Sequence, residues 1–77
     1  MTEKVVDVTI HLDESLGAGD REEIQDKLRG LRGVVAASSQ DETPHLVMVG
    51  YDPETIDGRA ILDTVTESGI QAELVGL

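Results

Sequence analysis

Cysteine is absent from this 77-residue chain, as are tryptophan and phenylalanine, and Tyr51 is its lone aromatic residue. Without cysteine there is no disulfide, no zinc finger and no thiol chemistry. With so few rings, a deep aromatic-lined pocket is not expected. No apolar run approaches the ~20 residues of a membrane span. The opening Met1-Thr2-Glu3-Lys4 is unlike a secretory leader. A soluble, cytoplasmic chain is the expectation.

Positive charge is scarce as well. Six basic residues stand against 16 acidic ones, for a net charge of −10, and lysine occurs only at Lys4 and Lys27. Such a surface repels nucleic acid and anionic membrane, so neither is expected as a partner. It fits cations, basic proteins, or a solvated face that keeps a small protein dispersed. Few lysines among many acids also fit a salt-rich or alkaline habitat. At this length the chain, 1–77, reads as one domain. A domain of this size buries only ~60% of its unfolded surface, which calls for a compact aliphatic core.

What the chain does have is clear periodicity. Val6, Val8, Ile10 and Leu12 alternate with Val5, Asp7, Thr9 and His11, a half-buried strand with the first set facing the core. Asp20 and Glu23 then have capping-box spacing, and Ile24, Leu28 and Leu31 recur on one helical face. Gly33 suits the residue just past that helix. Val34 to Gln40 reads as an edge strand, Asp41 to Pro44 as a turn, and Leu46 to Tyr51 as a further strand. Asp57 is placed to cap a second helix, with Ile56 and Ile61 at hydrophobic-staple spacing and Ile61, Leu62 and Val65 on its buried face. Gly69 stops that helix, and Ile70, Ala72 and Leu74 alternate in a last strand. The spacing predicts strands near 4–12, 34–40, 45–51 and 70–75 and helices near 20–31 and 57–68. With right-handed crossovers this βαββαβ order gives an α+β ferredoxin-like two-layer sandwich. Its four-stranded antiparallel sheet, in order 4-1-3-2, carries two helices on one face.

An ordered set of these segments resembles the heavy-metal-associated domains, the family of small copper chaperones, mercury-binding proteins and modules of metal-transporting ATPases. The segments are Val8-Thr9-Ile10-His11-Leu12; Ile24, Leu28, Leu31 and Gly33-Val34; Val47-x-Val49-x-Tyr51-Asp52-Pro53; and Ile61 through Val65 to Gly69-Ile70-x-Ala72. The resemblance implies the fold and an ancestry in metal handling. The family's metal motif, Gly-Met-x-Cys-x-x-Cys, would end at the first helix. Counted back from Gly33-Val34 without a gap, its cysteines fall on Gly17 and Asp20, its methionine on Ser15 and its glycine on Glu14. Soft ions such as Cu(I) and Hg(II) depend on thiolates, so neither is expected as a cofactor. The positions Ser15, Gly17 and Asp20 mark a degenerate site.

Other constellations compete. Asp13, Glu14 and Asp20 offer oxygen ligands to a hard cation. The EF-hand spacing fails, though, because its glycine position falls on Ala18 and its final glutamate on Ile24. The bland alternative is that Asp20 caps a helix and the others are solvated. Gly17-Ala18-Gly19 suggests a phosphate loop, but Glu22 takes the third glycine position and three acids would repel a phosphate. His11 and His45 both fall near the loop end of the sheet. They are expected to be independent and partly exposed. The alternative is a Zn²⁺ or Ni²⁺ site drawing on His11, Asp13, Glu14 and His45. No spacing suggests an activated nucleophile, so no catalytic residue is assigned. The open sheet face, with Val5, Thr9, His11, Leu46 and Met48, is the candidate interaction surface for a protein partner or a second copy. The reading is a non-catalytic binding or interaction module lacking the soft-metal site. Its rivals are weak divalent-cation binding through carboxylate and histidine ligands, and a small-ligand regulator or small enzyme on the same fold.

Overall fold

The computed structural model describes residues 4–75, so the opening Met1-Thr2-Glu3 lies outside it. The elements are β1 (Val6–Leu12), α1 (Ala18–Arg29), β2 (Val34–Gln40), β3 (Thr43–Tyr51), α2 (Gly58–Thr66) and β4 (Ala72–Val75). The strands form one four-stranded sheet in the order β2-β3-β1-β4, and all its pairings are antiparallel. This is the ferredoxin-like sandwich that the element order predicts.

Period-two patterning decides what goes inside. Val8, Ile10 and Leu12 of β1 and Val47, Val49 and Tyr51 of β3 are buried, and they meet Ile24 and Leu28 of α1 and Ile61 and Val65 of α2. Val6 and Leu31 are only half-buried, at the margin of this core, and Leu62, expected on the buried face of α2, is half-buried without joining it. The core is almost wholly aliphatic, as the composition requires. Among the described residues, no helix is long and apolar enough to cross a membrane.

Three local expectations are corrected. First, the Asp20–Glu23 capping box does not form. Gly17 is the N-cap of α1, with no side-chain cap bond. The amide of Arg21 donates to the Gly17 carbonyl at 3.0 Å, so the helix starts at Ala18 and Asp20 sits inside its first turn. Second, α1 ends at Arg29 with Gly30 as a right-handed C-cap. Gly33 takes its positive φ of 99° further along, where the chain turns into β2. Third, the turn is tighter than Asp41–Pro44. Gln40 pairs with Thr43, leaving Asp41 and Glu42 as the loop. Pro44 fits within β3 because it lies beyond the last β1 pairing, His11 with Leu46, where a missing N–H costs no ladder bond.

The second helix matches its sequence signals. Asp57 is the N-cap and its Oδ1 accepts from the Ala60 amide at 2.9 Å. Arg21 is the only buried charged residue among those described, at 4% exposure. It ties α1 to the β2–β3 hairpin through the Gln40 carbonyl, 2.7 Å away, and the Asp41 carboxylate.

Candidate functional site

Of the positions where the family resemblance puts its metal motif, Ser15 and Gly17 lie in the loop from β1 to α1 and Asp20 in the first turn of α1. Ser15 and Asp20 are exposed. Gly17 has φ −66° and ψ 163°, an extended conformation open to any residue. A Cβ added there would meet no atom within 4 Å. Gly17 thus has open space for a larger side chain.

The ligand-rich cluster lies beside this loop, on the sheet. His11 of β1 pairs directly with Glu73 of β4. Residues opposite each other in an antiparallel pair share a face. Asp13 follows His11 by two residues, and its amide donates to the Gln71 carbonyl at 2.9 Å, which carries the β1–β4 pairing past the end of β1. Ligand atoms of His11, Asp13 and Glu73 all lie within 4.8 Å of one another. Glu14 is exposed and takes no part in this trio.

His45 and His11 are not independent. Their ring centroids lie 5.3 Å apart with the planes at 71°, an edge-to-face contact. His45 therefore flanks the trio. Glu73 was missed in the sequence. The available signal was its place between Ala72 and Leu74, which turns it away from the core.

The open face of the sheet is the other candidate surface. The large apolar side chains most exposed among the described residues are Val5 (46%), Val35 (58%), Met48 (40%) and Val75 (41%). Met48 and Val75 both pair with Thr9, one from each side of β1. Val5 and Val35 lie near Gly50, within 3.7 and 3.5 Å of where its Cβ would stand. All four share the face away from the helices. Leu46 and Thr9 are half-buried there. Ala36, Ser38 and Gly50 are small, and a shallow groove of about 290 Å³ opens among them, Asp7, Thr9 and Met48. Val35 was not anticipated. A break in the β2–β3 register between Val34 and Ala36 lets it leave strict alternation.

The fold is that of the heavy-metal-associated domains. The chain superposes on a copper binding domain from HMA7, a P-type ATPase, with TM-score 0.81 and 18% identity over 91% of this chain and 93% of that one. Oxidized MerP from Ralstonia metallidurans gives TM-score 0.83 at 12% identity, covering 95% and 100% of the two chains. The yeast copper transporter domain Ccc2a gives TM-score 0.80 at 21% identity, over 91% and 94%. The sequence matches no protein-family model and no curated protein.

Proposed function

We propose that this chain is a non-catalytic interaction domain built on a metal-handling fold, without the soft-metal site, that binds a partner protein through the open face of its sheet. The observation that supports this is the gathering of Val5, Val35, Met48 and Val75 on that one face. Exposed apolar residues are ordinary when scattered; gathered on one face, they favour a contact surface. The shared fold brings the copper roles of the HMA7 and Ccc2a domains into consideration. With no cysteine in the chain, soft-ion transfer does not carry over. The net charge of −10 opposes a second copy of the same chain and favours a partner with a basic rim around an apolar centre.

The test is affinity capture from the native source with the wild-type chain, a Val35→Glu/Met48→Glu variant and a Gly17→Ala control. Sedimentation of the purified protein reports self-association in parallel. A stoichiometric partner held by wild type and Gly17→Ala but lost by the face variant is the expected result. A partner retained equally by the face variant overturns the proposal.

A further inference from the structure

We infer that His11, Asp13 and Glu73 form a binding site for a divalent transition ion of the zinc class. The site lies on the same sheet face as the proposed contact, at its loop end, with His11 and Glu73 two residues along β1 and β4 from Thr9 and Val75. Three observations meet here. The backbone ladder fixes the three residues: His11 is opposite Glu73, and Asp13 is held by its bond to Gln71. Their ligand atoms converge within 4.8 Å, yet none of these side chains hydrogen-bonds another. Finally, Nδ1 of His11 is shut off from solvent and has no hydrogen-bond partner among the described residues.

That last atom matters because a buried polar nitrogen without a partner is uncommon and costly. An ion bound in the cluster would be held by one ring nitrogen of His11 and would neutralise the charge of the two neighbouring carboxylates. Bonds of about 2.0–2.2 Å to an ion place neighbouring ligands some 3–3.5 Å apart. Small side-chain rotations bring a cluster of this size to that spacing. The edge contact from the His45 ring limits how far the His11 ring can turn away.

The donor set selects the ion. Mg²⁺ and Ca²⁺ prefer oxygen throughout, and an imidazole nitrogen is a poor match. Cu(I) wants sulfur, which is missing. One imidazole and two carboxylates suit Zn²⁺, Ni²⁺ or Co²⁺. The acidic surface raises the local concentration of any dication. Binding would clamp β4, only four residues long, onto β1 at the sheet edge, so it should stabilise the native state.

The test is Zn²⁺ titration of the full chain by calorimetry, with imidazole NMR spectra recorded alongside and Mg²⁺ as the comparison ion. One saturating site, a shifted His11 imidazole signal and a raised melting temperature are expected with Zn²⁺, and none of these with Mg²⁺. His11→Ala and Glu73→Gln should each weaken binding at least about tenfold, since even outer-shell changes typically cost 10–100-fold. The exposed α1 acid Glu22, changed to Gln, should leave it unaltered. Non-saturating uptake, equal affinity in the His11 variant, or a His11 imidazole signal indifferent to excess Zn²⁺ overturns the site. If either substitution unfolds the chain, the wild-type imidazole signal alone decides.

Discussion

Nη2 of Arg21 donates to Oδ1 of Asp41 at 2.6 Å, joining a buried guanidinium to a carboxylate whose side chain is 89% exposed. The two partners are therefore unequal. Arg21 also donates to the Gln40 carbonyl at 2.7 Å, and its side chain is buried. Arg21→Ala removes both the packing and the backbone bond, at an expected ~1–3 kcal/mol. Asp41→Asn removes only a solvent-screened charge and should cost less than about 1 kcal/mol. Urea unfolding midpoints of the two variants check this. Equal losses would mean that the ion pair, and not the buried bond to Gln40, holds the hairpin against α1.

How much of this was legible follows from the range of each signal. Alternation of Val8, Ile10 and Leu12 with Asp7, Thr9 and His11 is local, so β1 and its buried face could be read directly. The burial of Arg21 could not. In the sequence it stands in the acidic run Asp20-Arg21-Glu22-Glu23 and looks solvated; only the return of the β2–β3 hairpin encloses it. Val35 depends on a register break, and strict period two has no place for one. The cluster was half legible. His11 and Asp13 are two apart on one strand, but their meeting with Glu73 depends on the β1–β4 register, which alternation leaves free to slip in steps of two.

The two helix starts make a contrasting pair. Asp57 accepts from the Ala60 amide at the head of α2, so Asp57→Ala should cost ~0.5–2 kcal/mol. Asp20 caps nothing and lies inside the first turn of α1, where only the helix dipole favours it. Asp20→Ala should cost no more than ~0.3–1 kcal/mol. Thermal unfolding of both variants measures the difference. A larger loss at Asp20 would restore the capping box that the spacing suggests.

Gly33 and Gly69 both have positive φ, at 99° and 90°, but differ in surroundings. A Cβ at Gly33 would stand 2.8 Å from Ile56 Cγ2 and 2.9 Å from Thr55 Cγ2, whereas at Gly69 nothing lies within 4 Å. Gly69→Ala should cost the left-handed backbone term alone, ~1–2 kcal/mol. Gly33→Ala adds overpacking of typically ~1–3 kcal/mol. In a domain this small each kcal/mol moves the melting temperature by about 4–8 °C. Calorimetric melting should therefore rank Gly33→Ala well below Gly69→Ala, and equal losses would exclude steric crowding at Gly33.

The register that the family resemblance gives to Gly17 and Asp20 can be tested by placing thiols there. Wild type should not hold Cu(I) tightly, because the chain has no cysteine and its carboxylates and imidazoles are hard or borderline ligands. Gly17 and Asp20 occupy the N-cap and the first turn of α1, one turn apart at the helix start. Thiolates placed there are favoured by the free N–H groups and the positive end of the helix dipole. Gly17 has ordinary backbone angles and open space around its missing Cβ, and Asp20 makes no cap bond. The Gly17→Cys/Asp20→Cys variant should therefore fold nearly as well as wild type. It should compete for Cu(I) against a chromogenic chelator under reducing conditions, while each single variant competes poorly. A folded double variant no better than wild type would overturn the gap-free register between this loop and the family motif. Strong competition by wild type would overturn the reading of this chain as a domain without a soft-metal site.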